Sequence, residues 1–211
     1  MRFFSRALQC DLLTFWYRHS RPGHIGLIGL DTVPARLIGW AEHWITPDSK
    51  PSDWVHVFLF TGRRHGVPWI LESDLRVPLP GFRPKPNGPQ ENTIYKWSHP
   101  LIARAQIVDP GLSESQVAQV VQKAQIIMRT GYTYRVSELA ETWVAMAKGD
   151  LRYRGRLRHE DSMHCGHFLR DCLRAADCDP FGAKILPENT VPEHFAQTFA
   201  VVAEWTQAEV S

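Results

Sequence analysis

The chain has 211 residues, 44% of them hydrophobic and 22% charged, with a formal net charge of +2. That length buries a sizeable core within one domain, 1–211, and the composition excludes a disordered chain. The small net charge gives no reason to expect a nucleic-acid partner.

No run approaches the about 18 consecutive apolar residues that a membrane span requires. The N-terminus, MRFFSRALQCDLLTFWYRHSR, superficially resembles an export signal, but Asp11 interrupts it and no small-residue cleavage site follows. Phe4, Leu8, Leu12, Phe15 and Trp16 recur at helical spacing, so an amphipathic helix is expected, packed on the body or touching a membrane surface. Without a signal, synthesis in the cytoplasm is expected, and export would need a specialised secretion system. Four cysteines (Cys10, Cys165, Cys172 and Cys178) form no CxxC pair, which argues for reduced thiols and against a structural metal; no cofactor is expected.

After Arg21-Pro22-Gly23, residues His24 to Leu30 read as a short strand and Val33 to Trp44 as a helix ended by Thr46-Pro47. Trp54 to Phe60 is rich in β-branched and aromatic residues, and Val67 to Ser73 follows a glycine-flanked turn, which predicts a hairpin. Pro78, Pro80, Pro84, Pro86 and Pro89 mark a surface loop over 78–92, either a lid over a site or a plain solvated loop. Strands are expected over Thr93 to Tyr95 and Leu101 to Val108.

Ser113 and Gln116 form a capping box before a stripe of Val117, Val120, Val121, Ala124, Ile127 and Met128, and Gly131 ends that helix. A second helix is expected over Val136 to Ala147. Arg152, Arg154, Arg156 and Arg158 then alternate through RYRGRLRH, as a solvated edge or as a patch for an anionic surface. Asp161 and Ser162 are candidate caps for a helix bearing Cys165, Phe168, Leu169, Cys172 and Leu173. The apolar stretch from Ala196 to Trp205 is expected to close the core.

Chemistry centres on Cys165. A thiol at a helix start meets unpaired N–H groups and the positive end of the helix dipole, which favour the thiolate. His56 sits in the first hairpin strand, alternating with Val55 and Val57, and is the candidate base. Glu72, a carboxylate in the otherwise apolar WILESDL, lies within reach of His56 and would orient its ring. Trp54, Gly166 and His164 are assigned as substrate contacts: an indole surface, a residue admitting a close backbone and a histidine flanking the thiol. His65, His99 and His167 compete less well on direction or position.

The ordered segments SDWVHVFLF, VPWILES and HCGHFLRDCLRAA resemble the circularly permuted branch of the NlpC-like papain-fold superfamily. The third also resembles lecithin:retinol acyltransferase relatives, which carry a similar Cys-x-His-Phe run but a second histidine where this chain has Glu72. The family's Gly-Asp strand opening has no clear match, and Gly29-Leu30-Asp31 is the candidate for a degenerate version. The resemblance implies an α+β, papain-like fold with an antiparallel sheet packed against helices. It implies a Cys165–His56–Glu72 triad and an acyl-enzyme formed from a peptidoglycan peptide or another acyl substrate. It also implies an antibacterial effector with an immunity protein as a partner. An acyltransferase, thioesterase or lipid hydrolase, and a catalytically dead binding protein, remain alternatives.

Overall fold

The computed structural model describes residues 2–46, 48–76, 82–83, 85–156 and 159–207, with backbone alone for 2–10. Pro47, Pro78, Pro80, Pro84, Arg158 and the side chains of Phe4, Leu8 and Cys10 therefore lie outside the described part.

Alternating apolar residues build one six-stranded sheet. Its strands are β1 (Ile25–Leu30), β2 (His56–Arg64), β3 (Val67–Asp74), β4 (Gly88–Thr93), β5 (Ile102–Asp109) and β6 (Ala200–Thr206). They lie in the order β4-β3-β2-β1-β5-β6, and each neighbouring pair is antiparallel. The fold is therefore α+β, with helices packed on the sheet.

The two faces carry separate cores. Leu27, Val57, Leu59 and Leu71 pack with Phe168, Leu169, Cys172 and Val120, from α5 (Cys165–Arg174) and α3 (Glu114–Arg129). Ile28, Phe58, Phe60 and Ile70 pack with Leu12, Phe15 and Trp16 of α1 (Arg2–His19). The period-two alternation of strand side chains separates these sets. Buried aromatic and aliphatic residues on both faces pack β2 from His56 to Phe60, while its Arg63–Arg64 end is exposed. No helix among the described residues is long and apolar enough to cross a membrane.

Local signals explain the ends of these elements. His65 and Gly66, both at positive φ (52° and 81°), form the turn that pairs Arg64 with Val67. The Ser113 hydroxyl accepts from Gln116 N–H while the Gln116 side chain accepts from Ser113 N–H, so the expected capping box forms on α3. The remaining helices are α2 (Val33–Ala41), α4 (Val136–Ala147) and α6 (Pro192–Thr198).

Three stretches differ from expectation. The proline-rich segment contains β4 from Gly88 onward, where Pro89 occupies an edge strand that tolerates its missing N–H. Ile94–Trp97 is a 3-10 turn rather than a strand. The stretch from Ala196 to Trp205 closes the cores only in part, through the half-buried Ala196, Phe199, Ala203 and Trp205; β6 is an edge strand with Val201 and Val202 exposed, because it pairs with β5 alone. The cap of α5 is also neither Asp161 nor Ser162. His164 takes that place, its ring accepting from His167 N–H.

Candidate active site

His56 is the first residue of β2 and Cys165 the first of α5, so the ends of a strand and a helix meet at the site. The β2/β3 register, Leu59 opposite Leu71 and Phe60 opposite Ile70, puts Glu72 and Asp74 on the face of the sheet that carries His56. His56 Nε2 lies 2.7 Å from Glu72 Oε2. Its Nδ1 lies 4.0 Å from Asp74 Oδ1, and the ring is also a hydrogen-bonding partner of the Cys165 thiol. With Nε2 engaged by Glu72, Nδ1 is the nitrogen left to serve the sulfur.

Glu72 is fully buried, yet both of its oxygens are satisfied. Oε2 accepts from His56 and from Trp97 Nε1 at 2.8 Å; Oε1 accepts from Asn92 Nδ2 at 2.6 Å and Lys96 Nζ at 2.7 Å. Lys96 also donates to Asp74 Oδ2 at 2.6 Å. Burial opposes ionisation of Glu72, but the Lys96 and His56 charges outweigh it and hold the carboxyl down to about 2. Burial likewise opposes a charged His56; Asp74, Cys165 and Glu72 prevail, and the ring is held up to about 10.

Cys165 is 3% exposed and His56 5% exposed. Burial would raise the thiol, yet hydrogen bonding from His164 and His56 and their charges bring it down to about 6. Both shifts favour a thiolate–imidazolium pair at neutral pH. The first-turn N–H groups of α5 have no intrahelical carbonyls to bond, and the helix dipole adds to the thiolate's stability. Cys172, buried among apolar neighbours on the same helix, is pushed the opposite way by desolvation.

His56, Glu72 and Asp74 each offer an atom that could ligate a metal, all within 4.8 Å of one another. Lys96 already bridges the two carboxylates, and its ammonium supplies there the positive charge that a metal would bring.

The residues assigned to substrate contact lie as follows. His164 is 1% exposed; Nε2 is 2.9 Å from the Glu188 carbonyl and Nδ1 accepts from His167 N–H, and the ring is also a hydrogen-bonding partner of the Cys165 thiol. A Cβ on Gly166 would overlap the Thr190 carbonyl, so this glycine lets the 187–191 segment pack on α5. Trp54 is half-buried against the core that holds α5. Two cavities adjoin these residues in the chain: one of about 540 Å³ lined by Ser162, Met163 and His167, and one of about 530 Å³ lined by Ser52, Val55 and Trp40.

Sequence reasoning missed Asp74, Asn92, Lys96 and Trp97. Asp74 carried a signal, since carboxylates two apart on a strand share a face with each other and, in a hairpin, with the facing strand's histidine. Asn92 comes from the stretch expected to be a loop and Lys96 and Trp97 from just after the strand expected over Thr93 to Tyr95, and the three carried none. No family model matches the chain, and no curated protein matches it.

Proposed function

We propose that the protein is a thiol-dependent hydrolase that opens an amide carbonyl through an acyl-enzyme. The observation that carries this reading is the buried chain Cys165–His56–Glu72, in which a carboxylate with four donors fixes the ring serving a lowered thiol. An α+β sheet presenting a histidine to a helix-starting cysteine is also what a permuted papain-like fold would supply.

In the proposed cycle the Cys165 thiolate attacks the carbonyl carbon, forming the C–S bond and moving the carbonyl π pair onto oxygen. N–H groups at the α5 start, that of Cys165 among them, stabilise the oxyanion. Imidazolium His56 gives its proton to the leaving nitrogen as the C–N bond breaks. Neutral His56 then takes a proton from water, whose oxygen attacks the thioester; the C–S bond breaks, its electron pair returns to sulfur, the acid leaves and the thiolate–imidazolium pair is restored. Glu72 holds the tautomer and balances the ring charge throughout.

The resemblance to permuted NlpC-like hydrolases makes a peptidoglycan peptide the leading substrate. In that reading the protein is a wall-cleaving antibacterial effector, exported by a specialised system and countered in its producer by an immunity protein. A second reading, an acyltransferase, thioesterase or lipid hydrolase on the same site, is favoured by one observation. Val33, Leu37, Trp40 and Trp44 form an exposed apolar stripe at helical spacing along α2 and just beyond it. Incubation with cell-wall sacculi and, separately, with phospholipid vesicles, followed by mass spectrometry, tests both. Released peptides or sugars with new termini support the first, released fatty acid the second, and no product from either counts against both.

A further inference from the structure

A second buried glutamate is within electrostatic reach of the thiol, and its surroundings are the reverse of those of Glu72. Glu42 caps the C-terminal end of α2 and is 1% exposed. One of its carboxyl oxygens, Oε2, has no hydrogen-bond partner, while the carboxyl group as a whole is bonded by the Ser52 hydroxyl and the Glu193 N–H. Among the described residues, no cation is ion-paired with Glu42 or with Glu193. An ionised carboxylate with an orphaned buried oxygen and no counter-charge is expensive.

The proton inventory points the same way. Ser52 Oγ donates to Glu193 Oε2 at 2.7 Å, and Glu193 Oε1 accepts from Gln197 Nε2 at 2.8 Å. A hydroxyl has one proton, and the 2.7 Å contact to Glu193 takes it in preference to the 3.3 Å contact to the Trp54 carbonyl. Glu42 then meets the Ser52 oxygen favourably only if it brings a proton of its own. The imidazolium of His56 is engaged by Glu72 and Cys165, His194 on α6 is held down to about 4 by burial and brings no charge at neutral pH, and the groups that act most on Glu42 are acids. Glu193 comes from α6, Cys165 from α5, and Tyr134 from the segment before α4; β1 contributes no titratable side chain, and α4 carries the buried acids Glu138 and Glu141.

We infer that Glu42 is a positioning residue held as a neutral carboxylic acid within electrostatic reach of Cys165, joined through Ser52 to Glu193, and that its proton keeps a second negative charge away from the thiolate. The site thus contains two buried glutamates in opposite states. Glu72 is ionised by four donors behind the histidine, and Glu42 is neutral within electrostatic reach of the sulfur, as expected where environments push like groups apart. Burial, followed by the charges of Glu193 and Cys165, raises Glu42 well above an ordinary carboxyl. Loss of its proton at alkaline pH would set a carboxylate against the thiolate and disfavour the reactive pair.

The inference rests on Cys165 being the reactive thiol, but its test does not need turnover. Carbon-13 NMR of glutamate-labelled wild-type protein, assigned by through-bond correlation, follows each carboxyl carbon with pH. The Glu42 carboxyl is expected to remain protonated at pH 7, and its midpoint to fall in Cys165→Ala, where no thiolate opposes it. In Glu42→Gln, which mimics the neutral acid, iodoacetamide is expected to alkylate Cys165 within about threefold of the wild-type rate. An ionised Glu42 carboxyl at pH 7, a midpoint indifferent to Cys165→Ala, or slowing beyond threefold in Glu42→Gln each overturns the inference. The carboxyl titration decides the state of Glu42 whether or not Cys165 proves reactive.

Discussion

Lys96 Nζ donates to Glu72 Oε1 across 2.7 Å, on the oxygen opposite the one that holds His56. This bond joins the turn after β4 to the triad and explains how a fully buried carboxylate stays ionised. Lys96→Met leaves Glu72 and Asp74 buried with only His56 as a counter-charge. The expected cost is about 3–5 kcal/mol of folding stability, read by urea denaturation at neutral pH. A change below 1 kcal/mol would mean that Lys96 does not support the carboxylates.

Glu72 also sets an acid limit on stability. Its folded-state value is depressed, from 4.5 to about 2, so its contribution is present above pH 4.5 and is lost as pH falls through about 2. Denaturation midpoints measured between pH 5 and 2 should decline for the wild type. The decline should be shallower in Glu72→Gln, which has no carboxyl to titrate. Parallel curves would remove Glu72 from the account of acid sensitivity.

The same substitution bears on reactivity. Glu72→Gln removes the ring's counter-charge and sets an amide NH2 among the donors of Asn92, Lys96 and Trp97. The imidazolium loses support, and Cys165 alkylation at pH 7 is expected to slow by about tenfold or more. A far-ultraviolet circular dichroism spectrum first shows that the variant is folded. An unchanged rate would separate Glu72 from the chemistry.

Gly166 separates packing from substrate access. The overlap of a Cβ with the Thr190 carbonyl predicts that Gly166→Ala pushes the 187–191 segment away from α5, at about 1–3 kcal/mol. Thermal unfolding should register that loss. Full stability with impaired turnover would instead favour the substrate-contact role expected from sequence.

Much of the frame was legible in the residues. The capping box of α3, the turn between β2 and β3 and the alternation of Val57 and Leu59 against His56 and Phe58 are local signals, and each formed as written. A hairpin of this length put Glu72 within reach of His56, but its register, which shifts between Phe60 and Gly62, was not written in the residues. What stayed hidden depended on contacts distant in sequence. Gly88–Thr93, read as GPQENT, has no apolar alternation and becomes a strand only because β3 offers an edge. Asn92 and Lys96 look like solvent residues until that pairing buries them over Glu72. His164, a poor helix cap by composition, caps α5 because the Glu188 carbonyl holds its other nitrogen. The role of Gly166 likewise depended on a chain segment more than twenty residues away.

The central claim concerns the state of one sulfur. Cys165→Ala should lower hydrolysis by at least about 10³-fold once a substrate is found. A direct measurement needs no substrate: alkylation of each cysteine by iodoacetamide, quantified by peptide mass spectrometry from pH 4 to pH 10. The thiolate–imidazolium account predicts that Cys165 labels with a midpoint near 6 and, at neutral pH, far faster than the desolvated Cys172. A Cys165 midpoint near 9, the ordinary thiol value, or a rate no greater than that of Cys172, would contradict it.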